Sequence, residues 1–307
     1  MNKLKKQIIR YFLLFSFLIA VLESIVDSFF DDYVFLVLPE NSIKMNMAFG
    51  CYIVLSIGIF LVVAVVFYRI LSRIITEETK KQINEKNLLY ANITHDLKTP
   101  ITSIMGFARA LKDNKVKEEE YEESIHIIYE KAKQTDELIN TLFQYSKLET
   151  DTYQLQLQTC DISTLVRNLL AESYQEFENR QMQVAIAIPE EPILCEIDSV
   201  ELSRAINNLL VNAYKHNNPG TEIGVKVEAL QWKVKIVIAD QGDVIDPSLL
   251  EELCKPFICG SESRTNKGGS GLGLAITRKI VAMHQGRLFI DTKIEGYTKG
   301  FVIELHR

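Results

Sequence analysis

The sequence predicts three consecutive parts: two membrane-spanning helices, an α-helical hairpin that pairs into a dimeric four-helix bundle, and an α+β sandwich. Two long apolar runs near the N-terminus predict the first part, because each can cross a bilayer. Apolar residues at spacings of three and four predict the hairpin, and strand-like runs alternating with helical stretches predict the sandwich. We place the three parts at residues 1–75, 76–150 and 151–307.

Charge and cysteine content argue against several classes of function. The net charge of −6 and the isoelectric point near 5.6 argue against nucleic acid as the main partner. The five cysteines are scattered and odd in number, so a disulfide framework is not expected. Cys254 and Cys259 are close in sequence, but no histidine or second cysteine pair accompanies them, which disfavours a metal site.

The two apolar runs cover residues 11–30 and 48–71, and no charged residue lies between Ala48 and Tyr68. A cleaved signal peptide is the alternative for the first run, but no clear small-residue cleavage site follows it. Basic residues flank the outer sides of the pair: Lys3, Lys5, Lys6 and Arg10 before it, and Arg69, Arg73, Lys80 and Lys81 after it. The positive-inside rule therefore predicts a multi-pass protein with both termini in the cytoplasm.

The connection between the spans, residues 31–46, is too short to fold into a ligand-binding domain. It contains the apolar run 33–38 and is expected to lie against the membrane. Glu23 and Asp27 are four residues apart in the first span and share one helical face. Either the helix ends early and both acids are solvated, or this face contacts a stimulus or a membrane partner such as a transporter.

The stretch Asn92–Ile104 places a histidine, an acid and a hydroxyl on one predicted helix. Its apolar stripe continues to Leu111 and comprises Ile93, Leu97, Ile101, Ile104, Ala108 and Leu111. His95 lies about 200° around the helix from that stripe, so its imidazole is expected to face solvent or a partner. Asp96 can accept a proton from one ring nitrogen, which leaves the other nucleophilic, and Thr99 shares the outer face.

A histidine beside an acid also occurs on ordinary solvated helix faces, and this is the alternative interpretation of His95 and Asp96. Pro100 favours the functional interpretation, because a proline inside a helix costs about 3 kcal/mol and indicates a bent or loosened site. No glycine or proline occurs in residues 69–94, so a continuous helix is expected from the second span to the histidine.

A second amphipathic stretch follows the polar run 112–120, which marks a turn. Its apolar residues are Tyr121, Ile125, Ile128, Ala132, Leu138, Leu142 and Tyr145. A hairpin of two helices buries little by itself, so pairing with a second copy into a homodimer is expected. A simple coiled-coil tether would show the same periodicity.

The segment HDLKTPITSI, His95–Ile104, resembles the phospho-acceptor box of bacterial sensor histidine kinases. The resemblance implies that His95 is phosphorylated from ATP and passes the phosphoryl group to an aspartate on a response regulator. It implies that Asp96 is the orienting acid or base and that Thr99 positions water when the same protein dephosphorylates its partner. Many kinases of this family carry a relay module before this box, and this sequence has no room for one.

Beyond residue 151, four alternating runs predict strands: YQLQLQ, MQVAIAI, TEIGVKVEAL and WKVKIVIAD. Helical stretches between them predict helices on one face of a mixed sheet. One such helix carries Asn208, Asn212, Lys215 and His216 on a shared face, a set that suits hydrated Mg²⁺ and phosphate. A solvated helix face with no ligand is the alternative.

Two further segments carry nucleotide chemistry. Asp240 ends a predicted strand, where its carboxylate can accept a hydrogen bond from an adenine amine, and Gln241 and Gly242 follow it. The run GGSGLGLAI opens a helix that ends near Met283, and its glycines let the backbone approach phosphate at a helix N-terminus. The run is neither a dinucleotide fingerprint, since no strand directly precedes it, nor a Walker loop.

In this order, NNLLVNAYKH, DQG, KPF and GGSGLGLAI resemble the ATP-binding domain of histidine kinases, whose fold certain chaperone and topoisomerase ATPases share. The resemblance runs from about Asn92 to the C-terminus. It implies that Asn212 holds Mg²⁺, that Asp240 reads adenine and that Gly269, Gly271 and Gly273 let a lid close over the phosphates. The other residues expected at the nucleotide are Asn208, Lys215, His216, Gly242 and Leu272, with Arg264 and Lys267 in the lid.

One departure from the family pattern is Val244, which stands where the second glycine after Asp240 is usual. A β-branched residue disfavours positive φ, so either ATP binding is weakened or the turn is reshaped. His216 and His284 receive no catalytic role.

The sequence thus predicts a homodimeric sensor kinase of the bacterial cytoplasmic membrane that uses ATP and Mg²⁺ and has no nucleic-acid partner. One alternative is a phosphatase-dominant or binding-only sensor with impaired ATP use. Another is a freestanding ATPase, which the histidine box and the spans disfavour.

Overall fold

The computed structural model describes residues 2–39, 42–150, 152–257 and 271–307. The chain forms two compact units, Met1–Leu88 and Leu89–Arg307, and the long second helix contributes residues to both.

The first unit consists of helix α1, Asn2–Phe30, a π-helical turn at Asp31–Phe35, and the first part of helix α2, Ile43–Lys112. Each of the two helices contains a stretch of 18 residues that is apolar enough to cross a membrane. Only 6% of each apolar stretch is buried, so these stretches form an apolar surface rather than a protein core. These properties agree with the prediction of two spans.

The acidic face of α1 contacts α2 within this unit. The Tyr52 hydroxyl donates to Asp27 Oδ1 over 2.7 Å, and the Tyr52 ring packs edge-on against Phe30 with centroids 5.3 Å apart. Helix α1 continues past Asp27 to Phe30, so the expectation that the helix ends early is wrong. Solvation of the two acids stays a prediction. Contact of this face with a further membrane partner stays a prediction.

Helix α2 is uninterrupted from Ile43 to Lys112, which confirms the expected continuous helix through the histidine box. Pro100 lies inside it without breaking it, although the missing N–H leaves the Asp96 carbonyl without its usual helical donor. The chain turns at Asn114, which adopts a φ of 52°. Helix α3, Tyr121–Glu149, follows a 3₁₀ turn and completes the predicted hairpin.

The apolar residues of the hairpin are only partly covered. Ile93, Leu138 and Leu142 pack against the main core, whereas Ile101 and Ile125, both predicted on the buried stripe, are 43% and 56% exposed. Other large apolar side chains on the two helices are also exposed: Met105, Tyr129, Ile139 and Phe143. One copy of the hairpin therefore leaves an apolar surface that a second copy would bury.

The C-terminal part is built from short strands and helices. The strands are β1 Gln158–Asp161, β2 Gln183–Ala187, β3 Leu194–Ile197, β4 Glu222–Ala229, β5 Lys233–Asp240, β6 Arg287–Asp291 and β7 Lys299–His306. The helices are α4 Ile162–Asn179, α5 Ser199–His216, α6 Leu250–Leu253 and α7 Gly273–Met283, with a 3₁₀ turn at Pro247–Leu249.

A five-stranded mixed sheet has the order β2-β4-β5-β7-β6, with β2 parallel to β4 and the other pairs antiparallel. Residues of one sheet face, such as Ile236 and Ile238 of β5, join the main core with residues of α4, α5 and α7. Alternate residues of β5, Val237 and Ala239, belong to a small cluster on the other face. This arrangement confirms the predicted α+β sandwich.

One predicted strand is misplaced. The alternating run at residues 153–158 forms no strand until Gln158, where β1 begins and pairs with β3. The Tyr153 hydroxyl donates to Glu201 Oε1 over 2.7 Å, and the Gln156 N–H donates to Asp198 Oδ2 over 2.9 Å. These bonds tie the segment to α5 and its cap, so it does not pair with a neighbouring strand.

Candidate active site

His95 lies on the exposed side of α2, with 81% of its side chain accessible. Its Nδ1 is 3.1 Å from Asp96 Oδ1. A carboxylate can only accept, so in the neutral ring Nδ1 carries the proton and Nε2 keeps its lone pair. The structure thus places the imidazole and the acid as the sequence predicted, with a nucleophilic nitrogen facing away from the carboxylate.

Thr99 is exposed one helical turn after His95. Its Oγ1 donates to the His95 carbonyl over 3.2 Å. The hydroxyl is therefore near the histidine but bonded to the helix backbone, and a rotation about χ1 would release it to solvent.

The polar face of α5 carries the four predicted residues. Asn208 Nδ2 donates to the Gly273 carbonyl over 3.2 Å, so α5 meets the first residue of α7 and the Asn208 amide oxygen is left as an acceptor. Asn212 and Lys215 are half-buried, and His216 is exposed. Helix α5 thus offers an amide face beside the start of α7.

Asp240 is the centre of a buried polar network at the end of β5. Its Oδ1 accepts from Lys299 Nζ over 2.6 Å and from the Gly242 N–H over 2.9 Å. Thr298 Oγ1 lies 2.6 Å from the Gly242 carbonyl oxygen and 3.0 Å from the Asp240 carbonyl oxygen, so its single hydroxyl proton is shared between them and holds the turn against β7. The side chains of Asp240 and Lys299 are 5% and 9% exposed, so this carboxylate is fixed in position.

Gly242 is required for close packing in this turn. A Cβ on Gly242 would lie 1.8 Å from Asn217 Oδ1 and 2.9 Å from Asp240 Oδ1. Asn217 is itself held, because its Nδ2 donates to the Ala213 carbonyl over 2.7 Å. Only glycine therefore lets the turn approach the end of α5.

The glycine-rich segment is described from Gly271 onward. Gly271 adopts a φ of 63°, which suits glycine, and its carbonyl accepts from the Phe257 N–H over 3.0 Å. Leu272 is fully buried and anchors the start of α7 in the core. The remaining predicted residues of this segment lie outside the described residues: Arg264, Lys267, Gly268 and Gly269.

Val244 causes no backbone strain. Its side chain is 72% exposed, and the non-glycine residues with positive φ in the described chain are Asn114, Gln181, Phe257 and Gln285. Valine at this position is therefore not forced into a positive φ. The two outcomes expected of this departure, weakened ATP binding and a reshaped turn, stay predictions.

His284 has a structural role. The Asp198 N–H donates to its Nε2 over 3.0 Å, so Nδ1 carries the proton and donates to the Ile280 carbonyl over 2.9 Å. The ring joins the end of α7 to the start of α5.

The residues that complete the Asp240 network were not predicted from the sequence: Asn217, Thr298 and Lys299. Tyr297 was also missed: its hydroxyl donates to Glu222 Oε1 over 2.7 Å, and burial together with this carboxylate raises the pKa of Tyr297 to about 12. The available signal was the period-two pattern of β7, in which Lys299 shares a face with the buried Phe301, Ile303 and Leu305.

Two sequence families match the chain over these two sites. Residues 85–151 match the His Kinase A (phospho-acceptor) domain, and residues 197–307 match the histidine kinase-, DNA gyrase B- and HSP90-like ATPase. The first range contains His95 and the second contains Asp240. The chain belongs to the bacterial two-component sensor histidine kinases.

Curated relatives of this sensor histidine kinase include three bacterial proteins. YvrG of Bacillus subtilis is 27% identical over 205 residues, and WalK of Staphylococcus aureus is 28% identical over 235 residues. These alignments cover 66% and 75% of this chain but only 35% and 38% of the relatives, so the chain spans little more than a third of their length. YcbM of Bacillus subtilis is 28% identical over 235 residues, covering 76% of this chain and 73% of YcbM.

Solved structures share the fold. The histidine kinase ThkA, in its complex with the response regulator protein TrrA, superposes with a TM-score of 0.60 at 20% identity, covering 74% of this sensor histidine kinase and 63% of ThkA. AdeS of Acinetobacter baumannii gives a TM-score of 0.56 at 21% identity, covering 69% and 97% of the two chains.

Proposed function

We propose that this sensor histidine kinase phosphorylates its own His95 from ATP and passes the phosphoryl group to an aspartate of a response regulator. The observation that carries the proposal is the exposed His95 imidazole, whose Nδ1 is held 3.1 Å from Asp96 Oδ1. The same chain contains a fixed carboxylate, Asp240, in a domain of the histidine kinase ATPase family.

In the first step, the Nε2 lone pair of His95 attacks the γ-phosphorus of ATP. The P–Nε2 bond forms as the bond from the γ-phosphorus to the β,γ-bridging oxygen breaks, and ADP leaves with the electron pair of that bond. The positive charge that develops on the ring is stabilised by Asp96, which accepts the Nδ1 hydrogen bond. Catalysis on this account consists mainly of positioning and charge neutralisation.

In the second step, a carboxylate oxygen of the regulator attacks the phosphorus and the P–Nε2 bond breaks, which restores neutral His95. For dephosphorylation of the regulator by the same protein, we assign Thr99 to positioning the water that hydrolyses the regulator's acyl phosphate. Its hydroxyl lies at the adjoining turn and needs only a χ1 rotation to leave the His95 carbonyl.

We assign a magnesium ion to Asn212, with Asn208 beside it. Mg²⁺ prefers oxygen ligands, and an amide oxygen on α5 meets that requirement while the Asn208 nitrogen is occupied by the Gly273 carbonyl. When bound, the ion would neutralise charge on the ATP phosphates. Lys215 lies on the same helical face as Asn212, and we assign it to pairing with the ATP phosphates. Gly271 and Gly273 allow the backbone to approach those phosphates closely.

The kinase is proposed to act as a homodimer in the bacterial cytoplasmic membrane, with two spans and both termini in the cytoplasm. The exposed apolar residues of the hairpin and the match to the phospho-acceptor family support the dimer. The apolar stretches of α1 and α2 and the charge distribution around them support the topology. The domain limits proposed are 1–75, 76–150 and 151–307.

The full chain in membrane vesicles, incubated with γ-labelled ATP, tests this proposal. We expect acid-labile, alkali-stable label on the protein that requires Mg²⁺, disappears with EDTA, and moves to one receiver domain of a panel when unlabelled ATP is added in excess. Release of labelled phosphate without any labelled protein would contradict the proposal and favour an ATPase.

Val244→Gly separates the kinase from the alternative of impaired ATP use. Because Val244 is exposed and unstrained, we expect the labelling rate of the variant to stay within about twofold of the original. Label that forms only after Val244 becomes glycine would favour a phosphatase-dominant or binding-only sensor.

A further inference from the structure

A lysine ammonium lies inside the proposed base-binding region. Lys299 Nζ donates to Asp240 Oδ1 over 2.6 Å and to the Asp243 carbonyl over 2.7 Å, and its side chain is only 9% exposed.

The register of the sheet explains why this lysine points inward. Asp240 is the last residue of β5 and is the direct cross-strand partner of Lys299, the first residue of β7. Side chains of such a pair lie on the same face of the sheet. Lys299 shares its face with Phe301 and Ile303, which belong to the core under the helices, so the ammonium and the carboxylate face the α5 side.

The pair retains one donor and one acceptor. An ammonium has three N–H donors, and two of them are used by Asp240 and Asp243. Asp240 Oδ1 accepts two bonds, whereas Oδ2 has no hydrogen-bond partner among the described residues. Among the described residues, the fully buried side-chain oxygens without a partner are those of Ser56 and Gln144. Asp240 Oδ2 also lacks a partner but is not one of these fully buried atoms, so it is accessible to solvent.

Stability alone gives little reason for this arrangement. An ion pair taken out of water gains in attraction about what it loses in desolvation, and apolar replacements of buried pairs are often neutral or stabilising. A buried ammonium beside a proposed ligand-binding carboxylate is therefore better explained by a ligand that uses both groups.

We propose that Lys299 reads the nucleotide base together with Asp240. The free N–H of Lys299 donates to the ring nitrogen N1 of adenine, while Asp240 Oδ2 accepts from the 6-amino group. Adenine presents this donor and acceptor side by side, and guanine presents a carbonyl and an N–H in the opposite order. The inference rests on the proposed function, in which Asp240 contacts the base of ATP.

Atom-specific analogues test this assignment on the unaltered full chain in detergent. Competition against radiolabelled ATP would compare ATP, 1-deaza-ATP, 7-deaza-ATP and GTP. Loss of one charge-assisted hydrogen bond predicts that 1-deaza-ATP competes about tenfold more weakly than ATP. We expect 7-deaza-ATP to compete like ATP, because N7 has no assigned partner, and GTP to compete more weakly.

Two variants connect that discrimination to the lysine. In Lys299→Met, ATP and 1-deaza-ATP should bind equally, and both more weakly than ATP binds the original protein. Lys226→Met removes an exposed strand lysine that pairs with Glu228 over 2.6 Å, and should keep the tenfold difference. A merely structural ion pair would weaken both nucleotides by the same factor and leave their ratio unchanged.

The outcomes distinguish this inference from the proposed function. Equal binding of ATP and 1-deaza-ATP to the unaltered protein, or GTP binding as tightly as ATP, would overturn the role of Lys299 and leave ATP binding intact. A ratio that persists in Lys299→Met would overturn it as well. Failure of every nucleotide to bind would instead overturn the proposed function. If Lys299→Met does not fold, the analogue series on the unaltered protein still decides.

Discussion

The site around His95 and the proposed nucleotide site around Asp240 are each stabilised in a different way. His95 is 81% exposed, and its two hydrogen-bonding neighbours, Asp96 and Thr99, lie within four residues of it in sequence. Asp240 and Lys299 are 5% and 9% exposed and lie 59 residues apart. The first site is a local arrangement on a helix surface, and the second depends on the register of the sheet.

Because of this difference, substitutions at the His95 site and at the Asp240 site should have different effects on phosphoryl transfer and on the free energy of unfolding. Side chains around His95 are solvated, so changing them should alter phosphoryl transfer and leave folding unchanged. Groups around Asp240 are buried and mutually bonded, so changing them should lower both ATP affinity and the free energy of unfolding. The following predictions test this contrast, from the largest effect on stability to the smallest.

Asp240→Asn should be the most disruptive change. It keeps the shape of the side chain but leaves the Lys299 ammonium buried without a countercharge, which predicts a loss of about 3–5 kcal/mol in the free energy of unfolding. ATP affinity should fall by at least about tenfold, since the charged acceptor is lost. Denaturant unfolding and nucleotide binding measure the two effects. Asp243→Asn, at an exposed neighbour, is the control, and an Asp240→Asn protein as stable as the control would refute the network.

Gly242→Ala should destabilise through a clash rather than a charge. Its Cβ would lie 1.8 Å from Asn217 Oδ1, and overpacking of this kind costs about 1–3 kcal/mol. The double variant Gly242→Ala with Asn217→Ala should recover part of the loss. Gly106→Ala on the histidine helix is the matched control, because a Cβ at that position would extend into open space. Equal costs at the two glycines would contradict the contrast between the regions.

Asp161→Asn should show an intermediate, pH-dependent effect. Partial burial tends to raise the pKa of Asp161, but hydrogen bonds from Thr164, Ile193 and Ser163 outweigh it and lower the pKa below its ordinary value of 3.8. Because the pKa of Asp161 is lower in the folded state than in the unfolded state, the ionised carboxylate stabilises the folded protein above the unfolded-state pKa. This stabilisation is lost as the pH falls through the folded-state pKa. The substitution keeps one acceptor oxygen but replaces the other with an NH2 group, which cannot accept the Thr164 N–H, so the loss of that hydrogen bond predicts a cost of about 1 kcal/mol at pH 7. Thermal unfolding should show the difference shrinking as the pH falls below the ordinary carboxyl value of 3.8, and a difference that stays constant with pH would argue against this role of Asp161.

Asp96→Asn should leave folding unchanged. Its carboxylate is 41% exposed and contacts only its neighbour His95 among the described residues, so the free energy of unfolding should change by less than about 0.5 kcal/mol. The labelling rate should fall about 10²-fold or more, because the ring loses its charged orienting group. ATP affinity serves as the internal control and should not change. An unaltered labelling rate would remove Asp96 from the mechanism.

Much of the fold follows from periodicity, because local spacing determines which helical face is apolar. The continuous α2, the turn before α3, and helices α5 and α7 were all predicted in this way. The run at residues 153–158 was misread as a strand because its alternation is regular, whereas side-chain bonds to Glu201 and Asp198 decide its structure.

The His95 site and the Asp240 site also differ in how far they could be predicted from the sequence. His95, Asp96 and Thr99 could be placed from sequence since their geometry is that of one helix. The pairing of Asp240 with Lys299 and the contact of Gly242 with Asn217 could not, since both depend on which strand and which helix end meet in the folded chain. The exposed Val244 does not adopt a positive φ, a conformation that the family motif, with glycine at this position, did not predict.

Site-resolved labelling tests the central claim most directly. The full chain contains five histidines, and His126 on α3 is exposed like His95 but has no assigned role. After incubation with γ-labelled ATP and Mg²⁺, His95→Gln should carry no acid-labile label although it still binds ATP, and His126→Gln should be labelled like the unaltered protein. Label that persists in His95→Gln would contradict the account, because the phosphoryl acceptor would then be another residue.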